Sequence, residues 1–228
     1  MNTGHDLIPP DYRFILDLVE PRSSVLDLGC GDGKLLQLLV RERRIRGQGI
    51  EIDDRAIFAC VAKGLSVLHE DIDYGLPEFT DDSFDYVILN QSFQQVKKPD
   101  EVLTEALRVG RRVIIGFPNF AYWNARFQIF FKGITPVTHS LPYAWHDTPN
   151  LHFLSIRDFL EYCVERDIDI EASAYLAGKR KISHFPNLLA EAGIMLLAKR
   201  KPAGDAAAAG DTSTGNIKRP PSESWVGG

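Results

Sequence analysis

The run Val25-Leu26-Asp27-Leu28-Gly29-Cys30-Gly31-Asp32-Gly33 constrains this 228-residue chain more than any other stretch. An apolar, strand-forming segment contains an acidic residue near its end. A loop with glycine at every second position follows, and a helix-forming run starts at Lys34. Glycine takes dihedrals that a side chain forbids and lets the backbone pass close to a ligand. The following helix turns its unpaired N–H groups, the positive end of its dipole, toward whatever the loop holds. A dinucleotide site requires G-x-G-x-x-G around a pyrophosphate. Here the third glycine arrives one position early, at Gly33, and Lys34 stands where that pattern needs glycine.

The rest of the chain alternates strand and helix patterns up to about residue 201. Tyr12, Ile15, Leu16 and Val19 mark an amphipathic helix that Pro21 ends. Strands are predicted over residues 24–28, 47–52, 66–69, 84–89 and 112–117. Helical faces between them are carried by Leu35, Leu36, Leu38 and Leu39, by Ile57, Phe58 and Val61, and by Val102, Leu103, Ala106 and Leu107. Near-continuous apolar strands in β-α-β order predict a parallel sheet covered on both faces. Residues 118–154 break the pattern: the segment is dense in aromatics and carries His139, His146 and His152. Ser155 followed by Asp158 predicts a capping box. Beyond it, Ile156, Phe159, Leu160 and Cys163 repeat the helical stripe, and strands follow over 168–175 and 194–199, joined by a loop around 179–191.

Composition bounds the function classes. A formal net charge of −5 argues against a nucleic-acid partner. Three scattered cysteines, Cys30, Cys60 and Cys163, suit neither a disulfide framework nor a metal cluster and point to a reducing cytoplasm. The first residues show no secretory signal pattern, and no run reaches membrane-span length. After Pro202 the sequence turns to Ala/Gly/Asp and Ser/Thr/Pro stretches, which predict a disordered tail (202–228) attached to one domain (1–201), with Trp225 part of a frayed end.

The acidic residue before G-x-G-x-G resembles motif I of the class I S-adenosylmethionine (SAM) methyltransferases. That resemblance implies a Rossmann-like fold with a seven-stranded, mostly parallel sheet, an antiparallel last strand and helices on both faces. It also implies SAM or S-adenosylhomocysteine as cofactor and no metal. The methionine end of the ligand would sit over Gly29, Cys30, Gly31 and Gly33, with Asp27 near its ammonium. Glu51, 24 residues past Asp27, stands where nucleotide-binding folds carry the ribose carboxylate, with Ile52 beside it. Asp71 and Ile72 match the adenine position, and Asn90, with Gln91, would face the sulfonium. Cys30 and Asp32 read as loop geometry. Arg41, Arg43, Arg44 and Arg46 satisfy a helix C-terminus.

No general base is placed beside Asn90. Asn90-Gln91-Ser92-Phe93 lacks the Pro-Pro-Tyr of amino-nucleobase methylases, and His139, His146 and His152 are the remaining candidates. Several stretches together resemble the methionine-biosynthesis MetW family: Val25 to Gly33, Gly49-Ile50-Glu51-Ile52-Asp53, Asp82-Ser83-Phe84-Asp85-Tyr86-Val87, Arg108-Val109-Gly110, Phe117-Pro118-Asn119-Phe120, and Leu141-Pro142-Tyr143 through Asp147-Thr148-Pro149-Asn150. The last two are the specific ones. The resemblance implies a role beside a homoserine O-acyltransferase of MetX type, with the aromatic insert as contact surface. The alternative is an active methyltransferase on a small molecule, with the insert as a lid.

Overall fold

The computed structural model describes residues 8–200. The predicted tail and Trp225 lie outside the described residues. The chain runs α1 (Pro10–Leu18), β1 (Ser24–Leu28), α2 (Lys34–Arg43), β2 (Arg46–Glu51), α3 (Asp54–Ala62), β3 (Ser66–His69), β4 (Phe84–Asn90), α4 (Pro99–Val109), β5 (Gly110–Pro118), α5 (Trp123–Phe127), α6 (Ile156–Glu165), β6 (Ile168–Ala177), β7 (Arg180–Lys181), α7 (Pro186–Leu189) and β8 (Ala192–Lys199).

One sheet has the order β3-β2-β1-β4-β5-β8-β6-β7. The five strands from β3 to β5 are parallel, and β8 inserts antiparallel between β5 and β6. The sheet therefore has eight strands, where seven were expected. The additional one is β7, a two-residue strand inside the expected loop that pairs Arg180 with Ala177 and Lys181 with Leu176. Chain order reverses at β1, whose neighbours are β2 and β4. The crevice outside the C-terminal ends of these strands is where open α/β sheets hold ligands.

Strand alternation feeds two cores, because successive side chains point to opposite faces. Leu26, Leu28, Val87 and Leu89 pack with Leu103 and Phe159 on one face. Val25, Tyr86, Ile88 and Ile114 pack with Ile15, Leu36 and Leu39 on the other. Both capping-box hydrogen bonds form at α6: Asp158 N donates to Ser155 Oγ (3.2 Å) and Ser155 N to Asp158 Oδ2 (2.9 Å). In α3 the expected apolar face turns outward. Phe58 and Val61 are exposed, and the helix instead buries Cys60 against the glycine loop.

Candidate functional site

Gly29, Gly31 and Gly33 all have positive φ (+72°, +55° and +73°), so the loop needs glycine three times over. Their surroundings differ. A Cβ on Gly29 would stand 2.7 Å from Cβ of Ser92, and one on Gly33 would stand 2.5 Å from Leu65 Cδ1 and 2.8 Å from Cys60 Sγ. A Cβ on Gly31 would meet nothing within 4 Å. Gly31 thus opens onto free space, while Gly33 is pressed against α3. The loop is tied down by Gly29 N and Cys30 N, which donate to Ile50 O at 2.9 and 3.1 Å, and by Ser92 Oγ, which donates to Leu28 O at 2.7 Å.

Glu51 closes β2 and organises the site. Its Oε2 accepts from Gly31 N (2.7 Å), and its Oε1 accepts from Ile52 N (2.8 Å) and Asp53 N (3.0 Å). This fixes the carboxylate facing the crevice, with acceptor capacity left over for a diol. Asp71 accepts from Asp73 N (3.0 Å), which starts the short 3-10 turn Ile72–Tyr74 and holds Ile72 at the crevice. Asn90 reaches the end of β4, where Gly116 on β5 leaves it room: a Cβ there would overlap Asn90 Oδ1. Asn90 Nδ2 donates to Asp11 Oδ2 (3.1 Å), while its buried Oδ1 has no partner among the described residues.

These groups surround a cavity of about 500 Å³. Gly29, Cys30, Gly31, Glu51, Ile52, Asp71, Ile72 and Asn90 line it, joined by Gln91. Asp27 and Gly33 stand behind the lining. Asp27 is 3% exposed; burial, with the nearby Glu51 charge adding, pushes its carboxyl up to about 7. Tyr12 from α1 also lines the cavity, and burial together with Asp11, Asp27 and Asp32 pushes its hydroxyl up to about 12. The sequence showed Tyr12 only as part of an amphipathic stripe.

The residues fit an adenosyl amino acid. The space over Gly31 suits close backbone approach, Glu51 offers a carboxylate for ribose hydroxyls, and the orphaned Asn90 oxygen awaits a donor. Asp27, behind the lining and with no cation beside it among the described residues, places a negative charge within reach of a ligand ammonium's field. The thiols of Cys30 and Cys60 lie 3.9 Å apart beneath the loop. Burial raises both, Cys30 further with help from Asp27 and Cys60, so they are packing groups rather than nucleophiles.

The histidines are dispersed. His139 lies 3.9 Å from Glu191 at the rim of a neighbouring cavity. His152 donates its backbone N–H to Gln94 O at 3.1 Å and has a buried Nε2 without partner among the described residues. Trp145 and His146 rings lie 5.5 Å apart, with Trp145 exposed. The aromatic insert divides: Tyr143 and Asn150 line that neighbouring cavity, whereas Phe130 (81% exposed), Phe131 and Trp145 face outward.

The model of the family described as methionine biosynthesis protein MetW matches residues 9–197. The chain belongs to the MetW family. A curated relative, the bifunctional methionine biosynthesis protein MetXA/MetW of Rhodopirellula baltica, is 35% identical over 210 residues. The match covers 84% of this chain and 34% of the relative, so the chain spans about a third of that protein's length. Among solved structures, a putative S-adenosylmethionine-dependent methyltransferase from Listeria monocytogenes superposes with a TM-score of 0.63 at 11% identity, covering 84% of this chain and 99% of that one. The [4+2]-cyclase SpnF superposes with a TM-score of 0.59 at 14% identity, covering 82% and 80%. These likenesses establish the class I methyltransferase fold for this MetW protein. One neighbour is a cyclase, which illustrates that such a fold does not fix the reaction. No helix among the described residues is long and apolar enough to cross a membrane.

Proposed function

We propose that this MetW protein binds SAM or S-adenosylhomocysteine in the 500 Å³ cavity and works in the cytoplasm by direct association with a homoserine O-acyltransferase of MetX type. One observation carries the association: the Rhodopirellula baltica relative is named as MetXA and MetW in a single chain. Fused chains keep two modules at high effective concentration. Supporting it, α5 and the π-helical turn after it present Phe127, Phe130 and Phe131 as a contiguous aromatic group, tilted for Phe127–Phe131 and edge-to-face for Phe130–Phe131, with ring centroids 4.8 Å apart in both pairs. Exposed aromatics of this kind are enriched at interface cores.

SAM, when bound, supplies a methyl group activated by a sulfonium. Around it this chain orients the ribose with Glu51, holds the ammonium with Asp27 and covers the adenine with Ile72. Active methyl transfer is the second reading, favoured by the cavity that adjoins Asn90.

The association is tested by co-purifying the chain with the acyltransferase and assaying that enzyme with and without it. Co-elution and a raised acylation rate are expected; separate elution with an unchanged rate overturns the proposal. Phe130→Ala and Trp145→Ala are each expected to weaken association by about 2 kcal/mol, as buried aromatic anchors do. Phe120 is a poorer probe, because it is only partly exposed and packs on Phe153 at 4.7 Å.

The glycine loop allows a second check. Gly31→Val places its side chain in ligand space and is expected to abolish S-adenosylhomocysteine binding while costing only about 1–2 kcal/mol for the left-handed backbone. Gly33→Val adds overpacking against Leu65 and Cys60, a further ~1–3 kcal/mol. Calorimetric titration and thermal melts of both variants separate the two effects; a Gly31→Val protein that binds normally excludes the loop as the ligand's seat.

A further inference from the structure

A second cavity, of about 360 Å³, opens between the start of α1, the segment after β4 and the aromatic insert. Its size suits a small ligand. It adjoins the nucleoside cavity: Gln91 and Gln95 line both, and the Asn90–Asp11 hydrogen bond stands between them.

The lining is polar and carries more negative than positive formal charge. Asp11 and Glu191 contribute carboxylates, and among the described residues neither lysine nor arginine lines the cavity. His139, the one imidazole on the rim among the described residues, lies 3.9 Å from Glu191 with its side chain 89% exposed. Glu191 Oε2 accepts from Gly178 N (3.2 Å), which holds the carboxylate in place. Gln94 supplies an independent observation. It is 3% exposed, its Nε2 is committed to Gln91 O at 2.9 Å, and its buried Oε1 has no partner among the described residues. A buried amide oxygen without a partner is a group that an incoming hydrogen-bond donor satisfies. Leu176 and Pro142 add an apolar wall.

We propose that this cavity binds a small aliphatic amine in its protonated form, with the ammonium donating to Gln94 Oε1 and balanced by Asp11 and Glu191. The carbon chain lies along Leu176 and Pro142. The inference goes beyond the proposed nucleoside site and does not require it to be filled.

The test is calorimetric titration of the full chain with 4-amino-1-butanol, with its neutral counterpart 1,5-pentanediol and with the acid 4-hydroxybutyrate. Each is run with and without S-adenosylhomocysteine. The amine is expected to bind at least tenfold more tightly than the diol or the acid. Asp11→Asn and Glu191→Gln keep an oxygen acceptor while removing the charge, and each is expected to weaken amine binding at least fivefold. Glu191→Gln should leave S-adenosylhomocysteine binding unchanged. Equal affinity for amine and diol in the wild-type chain overturns the proposal, as does undiminished amine binding by both folded variants. Amine binding in a chain that takes no S-adenosylhomocysteine would sink the nucleoside reading and leave this one standing; the reverse result would do the opposite.

Discussion

Asp27→Asn is expected to stabilise the ligand-free protein by roughly 4 kcal/mol at pH 8 and by almost nothing at pH 4. The carboxyl is buried at the heart of the sheet, and its value rises from the ordinary carboxylate range to about 7. Three pKa units correspond to about 4 kcal/mol of differential stability. The sign follows from proton counting. Between about pH 4 and 7 the folded protein keeps a proton that the unfolded chain has lost, so stability falls as pH rises through that window. Below it the carboxyl is neutral in both states and the penalty vanishes. Asparagine matches the shape without the charge, so the variant should lack this fall. Urea melts of both proteins from pH 4 to 8 measure it; parallel curves throughout would show that Asp27 titrates normally. A ligand ammonium beside Asp27 would favour the charged carboxylate, so nucleoside binding near pH 6 should release a proton. That release appears as a dependence of binding heat on buffer ionisation enthalpy, and Asp27→Asn should abolish it. The residue would then impair the empty fold while serving the occupied one, as functional sites commonly do.

The parts of this fold legible in the sequence are those with a local signature. The acidic residue and alternate glycines announced the β1 turn, apolar runs announced the parallel strands, and Ser155 with Asp158 announced α6. The eighth strand left no such trace: Arg180 and Lys181 are both exposed and carry no periodic signal, and only pairing with Leu176 and Ala177 makes them a strand. The stripe of α3 misled because Phe58 and Val61 are not covered by any of the described residues, so apolar spacing there did not mean burial. In the site, Glu51 and Asp71 could be read because strand ends are marked in the chain. Asp11, Gln94 and Glu191 could not. They stand on three distant segments, and only the tertiary fold brings them to one cavity. Composition offers the aromatic insert as either a contact surface or a lid, whereas in the fold it both walls a cavity and faces solvent, a division that composition cannot express.

Asn119→Ala is expected to destabilise the protein by about 3–5 kcal/mol, although the residue touches neither cavity. Asn119 is fully buried at the end of β5. Its Nδ2 donates to Asn187 O (3.0 Å) and Ala190 O (2.8 Å), gathering in α7. Its Oδ1 accepts from Ala121 N (3.1 Å), which starts the aromatic insert, and from Ile156 N (3.4 Å) at the head of α6. One amide thus satisfies two carbonyls and two N–H groups from three different segments. Alanine would leave them unpaired where water enters poorly, at about 1–3 kcal/mol for each group that finds no substitute. For a domain of this size that loss lowers the melting temperature by roughly 6–20 °C. Asn119→Asp keeps both acceptor bonds but turns a carboxyl oxygen toward the two carbonyls in a buried site, so it is expected to destabilise the protein as well. A melting temperature within about 2 °C of wild type for Asn119→Ala would show that the surrounding backbone finds other partners. The specific Phe117-Pro118-Asn119-Phe120 run would then need a reason outside the fold. The expected result instead makes Asn119 the residue that fixes where the insert begins. Through the insert it sets both the wall of the second cavity and the outward face of Phe130 and Phe131.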